Sequence, residues 1–81
     1  MTRDQIFEEL KRTMSETFEI DPSAITTEAR LVDDLDLDSI DGVDMAVRIQ
    51  DLTGKRVDEK DLRSLQTVGN VLDLIENMLL D

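Results

Sequence analysis

One serine stands among five aspartates in residues 34–45, which read DLDLDSIDGVDM. The residue types in this segment are compatible with three kinds of chemistry. The carboxylates could bind calcium, they could cap the start of a helix, or they could surround a hydroxyl group, that of Ser39, to which another enzyme attaches a group that the protein carries. The three interpretations place different demands on the neighbouring residues.

A calcium loop is the first interpretation, and it fails at its most demanding positions. Asp34, Asp36 and Asp38 match the first, third and fifth ligand positions of an EF-hand loop. The sixth position of such a loop requires glycine and the twelfth requires a bidentate glutamate, whereas Ser39 and Met45 stand there. A frame that begins two residues later fails at its fifth position. We therefore predict no metal site.

The chain lacks the side chains with which most enzymes activate a nucleophile. Its 81 residues include no histidine and no cysteine, which excludes Ser-His and Cys-His arrangements, disulfides and thiolate metal sites. Carboxylates alone can act as acid and base, but a small helical chain offers little enclosed space that would raise the pKa of a carboxyl group. The sequence therefore argues against an enzyme.

The net charge is −11, from 20 acidic and 9 basic residues. This charge opposes binding to nucleic acid and to anionic lipid, and it accelerates encounter with basic proteins. No apolar run approaches the roughly 20 residues needed to cross a bilayer, and no segment resembles a signal peptide. We expect a cytoplasmic monomer that forms a single domain over residues 1–81, binds no nucleic acid or membrane, and meets basic protein partners.

Apolar residues at helical spacing predict a first helix. Thr2 and Gln5 form a capping-box pattern at its start, and Pro22 requires it to end near Glu19. The apolar stripe recurs every four residues, at Ile6, Leu10, Met14 and Phe18. Residues 20–38 follow as a long connection without helical period. We expect this connection to be ordered because it contains apolar residues that can pack on the core, namely Ile25, Leu31, Leu35 and Leu37.

A second helix is predicted over residues 39–53, with Asp38 as its N-cap and Gly54 as a left-handed residue after its C-terminus. On a helical wheel its charged residues share a sector roughly 80° wide; they are Asp41, Asp44, Arg48 and Asp51. Apolar residues fill most of the remaining circumference: Ile40, Val43, Met45, Ala46, Val47, Ile49 and Leu52. So narrow a polar strip predicts that this helix is packed on more than one side and is central in the fold. Arg48 is expected to be neutralised within the helix by Asp44 and Asp51.

Two further helices complete the predicted fold. Asp58 is a candidate cap for a short helix around residues 59–62, and Thr67 is a candidate cap for the last helix. The last helix carries an unbroken apolar stripe, made of Val68, Val71, Leu72, Ile75, Met78 and Leu79. The predicted fold class is therefore all-α: a small four-helix bundle of three longer helices and a short third one, with a long loop between helices 1 and 2.

The segment around Ser39 resembles the D-S-L motif of acyl carrier proteins. Asp38-Ser39-Ile40 is preceded by Leu35 and followed by DGVDMAVRIQDLTG. The similarity covers nearly the whole chain, since it includes the first helix, the loop with LVDDLDLDS, and the TVGNVLDLI segment that opens the last helix. Because this chain is strongly acidic, the resemblance favours an acyl carrier over a peptidyl carrier.

This resemblance implies a specific modification of Ser39. A separate phosphopantetheinyl transferase would attach 4′-phosphopantetheine, donated by coenzyme A, through a phosphodiester to the hydroxyl next to Asp38. The thiol of that arm would carry acyl groups as thioesters in fatty-acid or polyketide-type biosynthesis. The chain itself has neither a base beside the serine nor a thiol, which agrees with both being supplied from outside. Free backbone N–H groups in the first helical turn are expected to lie beside the phosphate.

The resemblance also implies that partner enzymes dock on the second helix. The exposed charged residues of that surface would be Asp36, Asp41, Asp44, Arg48 and Asp51. The partners would be acyl-transferring and condensing enzymes that present basic patches. Apolar residues between the second and third helices would shelter the acyl chain: Val43, Val47, Leu62 and Leu65. A solvated face is the alternative for the charged residues, and ordinary core packing is the alternative for the apolar ones.

Several residues depart from the family pattern. Asp36 stands where the family commonly has glycine, Arg48 interrupts the acidic strip, and Lys55 and Arg56 follow where many fatty-acid carriers are acidic. A surface of mixed sign can reject wrong partners, which favours a specialised carrier that serves a dedicated ketosynthase or a secondary pathway. The alternative function is an acidic helical interaction module, or a calcium-responsive one, without a prosthetic group.

Overall fold

Four α-helices and one 3-10 turn make up the computed structural model, which describes residues 2–80 and, at Glu59, the backbone only. The elements are α1 (Arg3–Phe18), the 3-10 turn (Pro22–Ala24), α2 (Ser39–Thr53), α3 (Glu59–Arg63) and α4 (Val68–Leu79). The predicted fold class, with its short third helix and its long loop between the first two, is confirmed. Over residues 2–80, no helix is both long and apolar enough to cross a membrane.

Local capping patterns define where the longer helices begin. At α1, Thr2 Oγ1 accepts the Gln5 N–H at 3.2 Å while Gln5 Oε1 accepts the Thr2 N–H at 2.8 Å. Thr67 and Asn70 form the same reciprocal pair at the start of α4, at 3.1 and 3.0 Å. Asp58 makes no side-chain cap on α3, so that prediction is wrong. The short helix is therefore held less firmly at its start than the others.

The core is centred on α4 and not on α2. Four residues on one face of α4 are at most 1% exposed: Val68, Val71, Leu72 and Ile75. The buried residues of α1 are Ile6, Leu10 and Met14, whereas α2 buries only Met45 and Ile49. On α2, Ile40, Val43 and Val47 are 73%, 61% and 50% exposed. The prediction that α2 is the central helix is therefore wrong: it packs against α1 and α4, but within residues 2–80 no element covers these three side chains.

The apolar stripes of α1 and α4 are less buried at their C-terminal ends, at the edge of the core. Phe18, in the last turn of α1, is only half-buried, and so is Met78 in α4. Leu79 is 38% exposed. The predicted stripe along the last helix therefore continues to Met78, which packs against the core, and weakens only at Leu79.

The connection between α1 and α2 is fixed to the core by its apolar residues, as predicted. Ile25, Leu31, Leu35 and Leu37 are all buried. Backbone hydrogen bonds also join the connection to the start of α4: the Leu31 N–H donates to Gln66 O at 2.9 Å, and the Val68 N–H donates to Ala29 O at 3.0 Å. The connection therefore reaches Ser39 from a fixed position.

Replacing Asp36 with glycine is expected to give a more stable protein than replacing it with alanine. Asp36 has a φ of 57°, in the left-handed region where a Cβ atom costs about 1–2 kcal/mol. Glycine avoids that cost, although part of the gain is offset by the freedom that glycine gives the unfolded chain. We expect Asp36→Gly to exceed Asp36→Ala in free energy of unfolding by about 0.5–1 kcal/mol in urea denaturation. Both variants remove the same charge, so equal stabilities would show that the backbone relaxes to a negative φ.

Candidate functional site

Ser39 is the first residue of α2, and its side chain is exposed. Among residues 2–80 its hydroxyl group has no hydrogen-bond partner. The oxygen is therefore accessible to a visiting enzyme and is not held by a competing interaction. Asp38 and the residues predicted to form a docking surface lie on the same helix or just before it.

Asp38 fixes the backbone around this serine. Its Oδ1 atom accepts the N–H groups of Ile40 and Asp41, both at 3.0 Å, and Asp41 Oδ2 accepts the Asp38 N–H at 3.1 Å. The Gly42 N–H donates to Asp38 O at 3.0 Å. In the first turn this leaves only the Ser39 N–H without a partner among the described residues. The prediction that several free N–H groups lie beside a phosphate is therefore wrong, because Asp38 already occupies two of them.

These hydrogen bonds lower the pKa of Asp38 below its ordinary value. The largest contribution comes from the Asp41 N–H, and the Ile40 N–H adds to it against an opposing effect of desolvation. Because the pKa is lower in the folded state, the cap stabilises the fold above the ordinary aspartate pKa of about 3.9. That contribution is lost as the pH falls through the lowered value of the folded protein.

The Asp38→Asn variant is therefore expected to lose stability in a pH-dependent manner. At neutral pH the variant should have a lower free energy of unfolding than the parent. The difference should shrink as the pH falls below the ordinary aspartate pKa of about 3.9 and through the lowered pKa of Asp38 in the folded parent. Urea denaturation across that range measures the difference. Asp51→Asn is the matched control, because it removes an exposed carboxylate from the same helix. A difference that did not change with pH would contradict the role of the charged cap.

The aspartates of residues 34–45 do not converge on one point. Asp34 Oδ2 accepts the backbone N–H of Arg30 at 2.8 Å and lies 3.5 Å from its Nε. Asp38 and Asp41 bind each other's backbone at the start of α2. In the part of the chain that the structure describes, no group of three or more acidic side chains could hold a metal ion. These three carboxylates therefore have structural roles in the turn that leads to Ser39.

An apolar groove of about 790 Å³ opens beside Ser39, between α2 and α3. Of the four residues predicted to shelter an acyl chain, Val43, Leu62 and Leu65 line the groove. Val47 does not line it: it lies one turn further along α2 and is half-exposed. The loop residues Leu31, Val32 and Leu37 close the groove on a third side.

Gly42 also lines this groove, and the sequence analysis missed it. Its φ lies outside the left-handed region, and a Cβ atom built on it would meet no atom within 4 Å. Inside a helix, glycine is about 1 kcal/mol less favourable than alanine. A glycine three residues after Ser39 in a predicted helix was the sequence signal that could have revealed it.

Except for Asp41, which lines the groove, the charged residues of α2 lie outside it. Asp36, Asp44, Arg48 and Asp51 are exposed, and Asp41 is half-buried through its role in the cap. Within residues 2–80, Arg48 forms no ion pair, so its predicted neutralisation by Asp44 and Asp51 is wrong. Exposed pairs on one helix gain at most about 0.5 kcal/mol, too little to hold these side chains together. Arg48 instead borders a cleft with residues of α1.

Comparison with known proteins gives a consistent result. Residues 8–75 match the family model described as "Phosphopantetheine attachment site". The chain is 42% identical to acyl carrier protein 2 of Ralstonia nicotianae, with 98% of each chain covered. It is 40% identical to the acyl carrier protein of Thermotoga maritima, with 96% of each chain covered. A solved structure of the acyl carrier protein from Enterococcus faecalis shares the fold, with a TM-score of 0.77 and 27% identity over 95% of this chain and 98% of that one.

These matches span the features described above. The family model covers α2, α3, the groove and the whole connection before them. The two curated relatives are similar to this chain over nearly its full length. The family, the fold class and the prosthetic group predicted from the sequence are thereby confirmed. The chain belongs to the acyl carrier protein family: it is a carrier, not an enzyme, and bears acyl intermediates on a phosphopantetheine arm in fatty-acid or related biosynthesis.

Proposed function

We propose that Ser39 is the residue to which the 4′-phosphopantetheine arm is attached. The chain has four serines, and all lie within the described residues. The hydroxyl groups of Ser15, Ser23 and Ser64 donate hydrogen bonds to Ile20 O, Asp21 Oδ1 and Asp61 O, at 2.7, 2.9 and 2.7 Å. Among these four serines, only Ser39 has a hydroxyl group that is both exposed and without such a bond. This difference carries the assignment.

The residues around Ser39 position the hydroxyl group and do not activate it. Asp38 and Asp41 accept hydrogen bonds from the backbone of the first turn, so they hold the helix start in one conformation. The chain has no histidine that could take the proton, and the base must come from the transferring enzyme. When bound, the arm supplies the thiol that carries acyl groups as thioesters. Exposure, a fixed backbone and an adjacent apolar groove all fit such a group.

Peptide mapping tests the assignment. Cleavage after Arg30 and Arg48 releases residues 31–48, in which Ser39 is the only residue with a hydroxyl group. After co-expression with a phosphopantetheinyl transferase of broad specificity, we expect the mass of the whole chain and the mass of this peptide to increase by one phosphopantetheine group. A chain that stays unmodified, or a mass increase confined to another peptide, would refute the assignment.

The outer face of α2 is the proposed docking surface for the transferase and for acyl-transferring and condensing enzymes. Exposed Ile40, Val43 and Val47 form an apolar patch on it. The charged residues on and beside the patch are Asp36, Asp41, Asp44, Arg48 and Asp51. Apolar area at the centre of an interface supplies affinity, while charges at its rim accelerate encounter and select the partner. Docking of partner enzymes would therefore explain why the core leaves this face of α2 uncovered.

Replacing Asp44 and Asp51 with lysine is expected to slow modification by a basic transferase about tenfold at low salt, because steering by opposite charges is reversed. Both side chains are exposed, whereas Asp41 is unsuited to this test since it caps α2. The modification rate should be measured at low and at high ionic strength, where screening removes the effect. The matched control replaces Glu8 and Glu28 with lysine. It changes the net charge by the same amount, but at residues outside α2. Equal rates for both double variants would contradict docking on this face.

We also propose that this carrier serves a specialised pathway. Lys55 contributes less to it than the sequence implied, because its Nζ atom donates to Met78 O at 2.6 Å and the residue is half-buried. Arg48 and Arg56 are exposed and give the surface its mixed sign, which disfavours partners that recognise a uniformly acidic helix.

A cytoplasmic location, a monomeric state and a single domain over residues 1–81 stay predictions. No feature of the described residues favours the calcium-responsive alternative.

A further inference from the structure

Gly42 is unusual among the three glycines of the chain. Gly54 has a φ of 72°, which side chains rarely allow, and a Cβ atom on Gly69 would lie 3.0 Å from Thr27 O. Gly42 has ordinary helical backbone, and a Cβ atom added to it would meet open space beyond its own helical turn. Neither of the usual reasons for a glycine, a left-handed backbone or the close approach of a neighbour, therefore applies to it.

The position of Gly42 on α2 supplies another reason. Residues three apart lie on the same face of a helix, and side chains lean toward the helix N-terminus. A side chain at position 42 would therefore lean over Ser39. Both residues line the groove, whose walls beyond them are formed by apolar residues such as Val43, Met45 and Leu62. Without a side chain at position 42, the path from the Ser39 oxygen into the groove is open.

We propose that Gly42 is a specificity-determining position, which keeps open the path by which an extended apolar acyl chain enters the groove between α2 and α3. This inference rests on the proposed attachment of the arm to Ser39. The occupant is apolar because most of the groove is formed by aliphatic side chains of α2, α3 and the preceding loop. Each methylene group that leaves water for the groove stabilises the folded state over the unfolded one. A longer chain should therefore raise the melting temperature, provided that the path is open.

The experiment compares melting temperatures of loaded forms of the full chain. Parent, Gly42→Ala, Gly42→Leu and Gln50→Leu are each modified by the transferase with acetyl or octanoyl coenzyme A, and loading is verified by intact mass. Gln50→Leu is the matched control because it adds a leucine to an exposed position of α2 that does not line the groove. The acetyl form of each variant corrects for the effect of the substitution on the helix itself.

We expect the octanoyl form to melt above the acetyl form in the parent and in Gln50→Leu. This difference should disappear in Gly42→Leu and be reduced in Gly42→Ala. An equal difference in the parent and in Gly42→Leu would overturn the proposal, and so would the lack of any difference in the parent. If the leucine variant is not modified, the alanine variant decides by the same comparison.

Two further outcomes concern the attachment step. If the parent is modified and neither Gly42 variant is, the open space serves the transferring enzyme, and the role in acyl-chain entry is overturned. If the parent itself remains unmodified, the assignment of Ser39 fails as well. The intact masses distinguish these cases before any melting experiment is made.

Discussion

Ser39→Ala is expected to abolish attachment of the phosphopantetheine arm while leaving the fold intact. The substitution removes the only oxygen in residues 31–48 that can form the phosphodiester through a side-chain hydroxyl. The hydroxyl group has no partner among the described residues and the side chain is exposed. Its removal should therefore change the free energy of unfolding by no more than about 0.5 kcal/mol. Intact mass after incubation with transferase and coenzyme A, together with urea denaturation, measures both quantities.

Ser64→Ala is the matched control for this prediction. Ser64 is also exposed and lies beside the groove residue Leu65, but its hydroxyl group donates to Asp61 O. We expect the Ser64 variant to be modified at the rate of the parent. A Ser39→Ala protein that still gains the mass of the arm would place the attachment elsewhere, and a loss of folding would show that Ser39 has a structural role that its contacts do not reveal.

Ile75→Ala is expected to cause the largest loss of stability among the substitutions considered. Ile75 lies on α4 with 0% of its surface exposed, and truncation of such a side chain typically costs about 2–5 kcal/mol. A domain of this size has a total stability of about 4–12 kcal/mol at 0.05–0.15 kcal/mol per residue. The variant should therefore lose a large share of its stability, which urea denaturation monitored by circular dichroism would show.

Val47→Ala on α2 is the informative comparison for this loss. The apolar pattern alone assigned Val47 to a packed face, yet it is 50% exposed. We expect its truncation to cost less than about 1 kcal/mol, since much of the side chain is already in water. Equal losses for the two variants would mean that α2 is packed as the helical wheel predicted and that α4 is not the centre of the core.

The start of each longer helix could be predicted because capping is local. Each cap depends only on residues within one turn of the chain: Thr2 with Gln5, Asp38 with Asp41, and the cap at Thr67. Gly54 at the end of α2 is equally local, since its left-handed φ follows the last helical residue. The buried anchors of the long connection were also recognisable, because apolar residues in a polar segment have few other uses.

The errors arose where the outcome depends on elements distant in sequence. Whether Val43 and Val47 are covered depends on which helix packs against α2, and the wheel contains no information on this. The charge of Lys55 predicts a place on the exposed surface, but its Nζ atom donates to the carbonyl of Met78, 23 residues later in the chain. The groove beside Ser39 exists only because α3 lies opposite the start of α2. Its outline, and the empty space at Gly42, could not be predicted from either segment alone.

The resemblance to acyl carrier proteins points to Ser39 as the attachment residue, and the hydrogen bonds of the other serines support the same proposal. A sequence shows four serines but does not show which hydroxyl groups are already bonded. That distinction requires the positions of carbonyl and carboxylate oxygens around Ser15, Ser23 and Ser64.

The short length of α3 affects how the groove accommodates the acyl chain. A helix of five residues without a side-chain cap is too short to be stable by itself, so little free energy is needed to displace it. The α3 side of the groove can therefore move to accommodate acyl chains of different width, while α1, α2 and α4 keep their mutual arrangement. The docking surface proposed on the outer side of α2 would then keep the same shape in the empty and in the loaded carrier.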